Sequence, residues 1–91
     1  MSRTPEAQQP NLTLGEWLCI VRTRAGISRK ELAADLGVSS PLVTEWEGDD
    51  CLPNIEQFRD ITELCAAEWL WETVKKGNVL MGPEAKVLRA H

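Results

Sequence analysis

The residue types that carry out chemistry in proteins are sparse in this chain. Its only histidine is the terminal His91, and its three cysteines, Cys19, Cys51 and Cys65, are widely spaced without a C-x-x-C pair. That spacing predicts neither a zinc site nor a disulfide framework, and Cys19 and Cys65 are expected to be thiols of the core. The sequence also has no glycine-rich phosphate loop and no nucleophile paired with a base. We therefore expect no enzymatic activity and no cofactor.

The charged side chains favour binding rather than catalysis, but their sum is acidic. The net charge of the whole chain is −4. Between Asn11 and Pro53 there are four bases and seven acids, a net charge of −3. The bases are Arg22, Arg24, Arg29 and Lys30, and the acids are Glu16, Glu31, Asp35, Glu45, Glu47, Asp49 and Asp50. Since DNA binding requires bases against phosphates, this balance lowers the affinity expected for nucleic acid without excluding it.

Length and hydropathy indicate one small domain. The chain has 91 residues, of which 43% are hydrophobic and 26% charged, an ordinary composition for a globular protein. No apolar run is long enough to span a membrane, and the N-terminus lacks the apolar core of a signal peptide. A cytoplasmic protein without a membrane partner is expected.

Residues 28–53 predict two short helices joined by a tight turn. Ser28 and Glu31 form a capping box that starts the first helix, and Gly37 ends it, because glycine adopts the left-handed conformation at little steric cost. Ser39 is placed to cap the second helix. The inward-facing residues are expected to be Leu32, Ala33, Leu36, Val43 and Trp46. This is the pattern of a helix-turn-helix.

A further helix precedes this pair. Thr13 and Glu16 form a capping box, and the helix is predicted to run to about Ala25. Arg22 and Arg24 lie near its end and have two possible roles. They could occupy a solvated face where they favour the helix dipole, or they could contact the phosphates of a nucleic acid. The residues alone leave both roles open.

Two more helices are predicted after the pair. Asn54 and Gln57 cap the fourth helix, and the fifth runs from about Ala67 to Lys75. The buried stripe of the fourth helix is expected to be Ile55, Phe58, Ile61, Leu64 and Cys65.

The fifth helix and the tail offer a candidate partner surface. Trp69 and Trp71 are two residues apart and cannot share one helical face, so at least one is expected at the edge of the core or outside it. An exposed tryptophan favours self-association through this helix. Residues 79–81, the apolar Val79, Leu80 and Met81, either pair as a short strand across a dimer or belong to a loosely ordered tail.

Taken together, residues 12–75 resemble the lambda-repressor/Cro-like (XRE) helix-turn-helix family of DNA-binding transcriptional regulators. The residues that carry the resemblance keep the family's spacing without an insertion. They are Leu14, Gly15, Glu16, Arg22, Gly26, Ile27, Ser28, Glu31, Leu32, Ala33, Leu36, Gly37, Val38, Ser39, Val43, Trp46, Glu47 and Pro53.

The resemblance implies an all-α fold, a compact five-helix bundle whose third helix lies in the major groove of DNA. It implies a DNA-binding domain at 12–76. The polar composition of the N-terminus predicts a disordered arm at 1–11, and the tail at 77–91 is a candidate dimerisation segment. By position, the residues that would contact bases are Arg29, Ser40, Pro41, Leu42, Thr44 and Glu45. Those that would contact phosphates are Arg22, Arg24, Lys30 and Ser39. The partner implied is a palindromic DNA operator bound by a homodimer.

Several positions depart from the family pattern. Arg29 stands where glutamine is common, and it could bridge phosphates or donate to a guanine. Glu45 stands where a base or glutamine is usual, and Gly48, Asp49 and Asp50 form a loop that is often basic. The second helix of the pair contains no arginine, lysine, asparagine or glutamine.

Two functions from different classes follow. The first is a small dimeric repressor or autoregulator that binds a specific DNA sequence. It would act by occupying its operator, because nothing after residue 75 resembles a domain for a small-molecule ligand. The second is a protein-interaction module on the same fold, an adaptor or an inhibitor of another regulator, favoured by the acidic helix pair and the surplus tryptophans.

Overall fold

Five α-helices make up the described part of the chain, residues 12–77 and 79–83 of a computed structural model. They are α1 (Leu14–Arg24), α2 (Arg29–Leu36), α3 (Ser40–Glu47), α4 (Ile55–Leu64) and α5 (Trp69–Lys75). No strand occurs within these residues, so the prediction of an all-α chain with five helices is confirmed for them. None of the five helices is long and apolar enough to cross a membrane. The predicted arm at 1–11 and residues 84–91 of the predicted tail lie outside the described residues.

Side-chain caps start four of the five helices where the sequence predicts them. Both hydrogen bonds of a capping box are present at three N-termini, formed by Thr13 with Glu16, Ser28 with Glu31 and Asn54 with Gln57. At the fourth, the hydroxyl of Ser39 accepts from the backbone N–H of Leu42. Each cap satisfies an amide that has no partner within its helix, which explains why short helices of eight to eleven residues begin at these points.

The fifth helix begins at Trp69, two residues later than predicted. Ala66 has a positive φ of 52° and turns the chain, and the N–H of Ala67 donates to the carbonyl of Thr62 at 2.7 Å. Ala67 is itself 2% exposed and packs into the core. No side chain caps α5, since Glu68 precedes it in a helical conformation.

One hydrophobic core joins all five helices. Its buried members come from the inward faces of the helices and from the segment after α5. They are Leu14, Leu18, Val21, Leu32, Ala33, Val43, Trp46, Phe58, Ile61, Cys65, Ala67, Leu70 and Val79.

The predicted stripe of α4 is wrong at two residues, Ile55 and Leu64. Ile55 is 66% exposed, and Leu64 is 42% exposed, whereas Phe58, Ile61 and Thr62 are buried. Ile55 is the first residue of α4, so its side chain projects beyond the end of the core that the following turns cover. The buried face of α4 begins at Phe58 and continues at residues three and four positions further on, Ile61 and Thr62.

The start of α1 lies directly against the end of α3. A Cβ placed on Gly15 would lie 2.5 Å from the carbonyl oxygen of Glu47 and 2.7 Å from that of Trp46. The carboxylate of Asp49 accepts from the N–H of Gly15 at 2.9 Å, and Asp49 is only 8% exposed. Asp49 therefore caps α1 from a distant part of the sequence, and a glycine at residue 15 permits the close approach.

We predict that Asp49→Ala lowers the free energy of unfolding by about 1–3 kcal/mol, because a buried amide of α1 loses its charged acceptor. Asp49→Asn should cost less, since asparagine keeps one acceptor oxygen and tolerates the positive φ of 63° at this residue. Urea unfolding of both variants is the measurement. An alanine variant as stable as the natural chain would contradict the capping role.

Residues 79–83 pack on the start of α1. The carbonyl of Leu80 accepts from the N–H of Leu14 at 2.6 Å, and Thr13 and Leu80 form an isolated parallel bridge. Val79 is buried in the core. This backbone pairing lies within the chain, so these hydrogen-bonding groups are occupied without a second copy.

Candidate functional site

The turn between α2 and α3 is fixed by backbone hydrogen bonds. Gly37 adopts φ 72° and ψ 31°, the left-handed conformation that ends α2. The N–H of Val38 donates to the carbonyl of Ala33 at 2.9 Å. Ala33 and Val43 are 3% and 1% exposed, and α2 packs against α3. The small side chain of Ala33 lets the two helices approach closely, which holds α3 in one orientation on the core.

The outer side of α3 carries the residues predicted to contact bases. Pro41, Thr44 and Glu45 are exposed, while Ser40 and Leu42 are half-buried. The hydroxyl of Thr44 donates to the carbonyl of Ser40 at 3.4 Å. The hydroxyl of Ser39, predicted to contact phosphate, is occupied by the helix cap, although the residue is exposed. This surface is short, neutral to acidic, and available to a ligand from solvent.

The four predicted cationic residues are divided between two regions. Arg29 and Lys30 are exposed in the first turn of α2, at the opposite end of that helix from the Gly37 turn. Arg24 is exposed but borders a cavity of 470 Å³ with Leu64 and Trp69, at the junction of α1, α4 and α5. Neither α2 nor α3 contributes a lining residue to this cavity.

Arg22 and Arg29 meet at a single carboxylate, that of Glu47. Arg22 donates from Nε to Oε2 at 2.6 Å and from Nη2 to Oε1 at 3.2 Å. Arg29 donates from Nε to Oε1 at 2.9 Å. The side chain of Glu47 is 5% exposed, that of Arg22 is 12% exposed and that of Arg29 is 49% exposed.

The structure gives Arg22 a role that neither sequence interpretation included. Besides its two bonds to Glu47, its Nη1 donates to the carbonyl of Ile27 at 2.8 Å. The hydrogen bond that Arg22 donates to Glu47 raises the pKa of the Arg22 guanidinium above its ordinary value, against the opposing effect of burial. Arg22 thus ties α1 to the end of α3, and each of its three guanidinium nitrogens donates to a group of the protein.

Sequence reasoning missed Glu47 and Asp49 as structural acids. Both counted toward the acidic balance, yet Glu47 binds two guanidinium groups and Asp49 caps α1. Their partners are 18 to 34 residues away, so no local spacing identifies them. The one available signal is the excess of acids itself, because a buried acid requires a partner elsewhere in the chain.

An acidic side of the surface remains at the end of α3. Glu45 is exposed, and its carboxylate accepts from the thiol of Cys51 at 3.8 Å. Desolvation, followed by the charge of Glu45, raises the pKa of the Cys51 thiol above its ordinary value.

The residues of the predicted partner surface differ in burial and do not all face solvent. Trp69 is 44% exposed and contacts Trp17 edge-on, with ring centroids 5.4 Å apart. Trp71 is half-buried and stacks on Phe58, also at 5.4 Å. The expectation that one tryptophan lies outside the core is met by Trp69. Val79 is buried and Leu80 half-buried, so Met81, 37% exposed, is the member of residues 79–81 that faces solvent most.

An apolar groove of 230 Å³ lies between the start of α4, α5 and Met81. Its lining residues are Leu14, Pro53, Asn54, Ile55, Phe58, Trp71, Val74 and Met81. Ile55 is exposed but lines this groove, which accounts for an apolar residue at that position.

Within the described residues, no group of three or more histidine, cysteine, aspartate or glutamate side chains is arranged to hold a metal ion. Among the cationic residues of the predicted site, Arg22 and Arg29 are joined by the fold to α3, through their bonds to the carboxylate of Glu47. Comparison of the chain with protein-family models, with curated proteins and with solved structures gives no match.

Proposed function

We propose that this chain is a sequence-specific DNA-binding transcriptional regulator in which α2 and α3 act as a helix-turn-helix. The observation that carries the proposal is the packing of α2 against α3 across the left-handed Gly37, with Pro41, Thr44 and Glu45 exposed on α3 and Arg29 bound to Glu47 at the end of that helix. A helix held rigidly on a core with a polar outer side suits insertion into the major groove. The family resemblance of residues 12–75 supports the same proposal.

The burial of two acids reduces the repulsion of DNA that the net charge of −3 between Asn11 and Pro53 would otherwise cause. The side chain of Glu47 is 5% exposed, Asp49 as a whole residue is 8% exposed, and both carboxylates are bound to groups of the protein. Their charges are compensated by Arg22 and by the N-terminus of α1. A DNA duplex would therefore meet Arg29 and Lys30 before it meets these carboxylates, whereas Glu45 remains exposed on α3. Glu45 can accept from the amino group of a cytosine.

The proposal includes a homodimer on an inverted-repeat operator, acting in the cytoplasm as a repressor or autoregulator. Two-fold symmetry of the protein would match that of the operator. The exposed Trp69 and Met81 supply apolar surface for association. Occupation of the operator would be the regulatory act, with neither a cofactor nor a small-molecule effector.

Arg29→Ala should weaken binding to the operator by about 1–3 kcal/mol, through loss of a guanine or phosphate contact. The operator is the duplex most enriched by selection from random-sequence DNA, and affinity is measured by fluorescence anisotropy. Arg59→Ala is the matched control. Arg59 is also exposed, but it is on α4 and lines a pocket with Trp71 of α5. Equal affinities for both variants and the natural chain would remove Arg29 from the interface.

A second candidate function is a protein-interaction module on the same fold. The exposed Glu45 at the end of α3 favours it, because a carboxylate there repels phosphate and would suit a basic protein surface. The two functions differ in salt dependence toward duplex DNA. A folded protein that binds no duplex at low salt would support the second.

A further inference from the structure

Glu47 binds its two arginines unequally. Arg22 donates to both carboxylate oxygens of Glu47 and uses Nη1 on a backbone carbonyl, so its guanidinium is held on every side. Arg29 donates to Glu47 from Nε alone, at 2.9 Å. No other hydrogen bond of the Arg29 guanidinium is found in the part of the chain that the structure describes. Its two terminal amino groups are therefore open to a ligand.

One carboxylate between two guanidinium groups leaves one positive charge uncompensated. Arg22 is almost buried and forms the bidentate pair, so Glu47 compensates Arg22 first. The uncompensated charge then resides on Arg29, whose side chain is half exposed. Arg29 also stands in the first turn of α2, where a cation is opposed by the helix dipole. Its placement there disfavours the helix, and the bond to Glu47 offsets this.

We propose that Glu47 is a positioning residue that directs the terminal amino groups of Arg29 toward a DNA phosphate. The inference rests on the DNA-binding function proposed above. The bond at Nε fixes the plane of the Arg29 guanidinium, and Arg22 fixes Glu47 in turn. An arginine held in this way loses less side-chain freedom when it donates two parallel hydrogen bonds to a phosphate.

Replacement of Glu47 distinguishes a positioning role from an effect of its charge alone, because the two roles predict opposite changes in DNA affinity. If Glu47 acted only through its negative charge, Glu47→Gln would make the surface more basic and tighten DNA binding. Positioning predicts that Glu47→Gln weakens binding to the selected duplex about tenfold, with the slope of log K against log salt reduced by about one phosphate contact. Binding as tight as that of the natural chain, or tighter, would overturn the inference.

A methionine at Arg29 tests whether the effect passes through that side chain. In an Arg29→Met background, Glu47→Gln should leave affinity for the same duplex unchanged, because there is no Arg29 guanidinium left to direct and the glutamine oxygen can still accept from Arg22. A loss as large as in the natural background would mean that Glu47 acts through the fold, and the inference would fail.

If Glu47→Gln does not fold, Arg29→Lys distinguishes positioning of the guanidinium from an effect of its charge alone. Lysine keeps the positive charge, but it cannot bind Glu47 through one nitrogen and a phosphate through two others. A positioning role predicts that Arg29→Lys lowers affinity for the selected duplex about tenfold, whereas an effect of charge alone predicts affinity within about twofold of the natural chain. If the natural chain binds no duplex at low salt, the proposed function fails. If it binds and these variants bind equally well, the positioning role alone fails.

Discussion

Replacing Glu47 with alanine is expected to lower the free energy of unfolding by about 3–5 kcal/mol, the usual result of breaking a buried ion pair from one side. The variant leaves the guanidinium of Arg22, 12% exposed, without its carboxylate in the interior. The pair joins the end of α3 to α1, so its loss also loosens the packing that orients the outer side of α3. The measurement is urea unfolding followed by circular dichroism.

The matched control is Glu72→Ala on α5. Glu72 pairs with Lys75 at 3.4 Å, but both side chains are more than half exposed. An exposed pair of this kind contributes little, and we expect a change within about 0.5 kcal/mol. Similar losses in the two variants would contradict a special role of the buried carboxylate. Partial recovery in an Arg22→Met, Glu47→Leu double variant would show that the uncompensated charge causes the loss.

Gly15→Ala is also expected to lower the free energy of unfolding strongly, by about 3 kcal/mol or more. An alanine within a helix ordinarily stabilises it relative to glycine by about 1 kcal/mol, so the prediction reverses the usual sign. The reason is that the new Cβ would lie 2.5 Å and 2.7 Å from two backbone carbonyl oxygens of α3. Backbone cannot move aside as a flexible side chain can, and α1 must separate from α3.

Gly48→Ala is the control for that prediction. Gly48 has a negative φ of −91°, and the nearest atoms to an added Cβ lie at 3.3 Å. Its effect is expected to stay within about 1 kcal/mol. Thermal unfolding of the two variants side by side is sufficient, and a Gly15→Ala protein that is as stable as Gly48→Ala would show that α1 and α3 are not in close contact.

The helices were predictable because their signals are local. Each cap needs two residues three positions apart, such as Ser28 with Glu31, and these pairs form the same hydrogen bonds in the structure. Gly37 ends α2 because its left-handed conformation favours glycine, and this too depends only on the residue itself. Local chemistry therefore determined the number and the starts of most helices.

The site was less predictable because its contacts are distant in sequence. Arg22 and Glu47 are 25 residues apart, and Gly15 and Asp49 are 34 apart. Nothing in the sequence distinguishes these acids from Asp50 or Glu45, which the charge count treated alike. The exposure of Ile55 was missed for a related reason, since helical periodicity identifies a face but not how far along the helix the core extends.

The most direct test of DNA binding by the α2–α3 surface is an unbiased selection of the full chain on random-sequence duplex DNA, with a salt titration of the best sequence. We expect a short inverted repeat, with log K falling linearly against log salt as phosphate contacts release counterions. Absence of enrichment at low salt from a folded protein would contradict DNA binding. The partner would then be sought among proteins that complement Glu45 and the exposed Trp69.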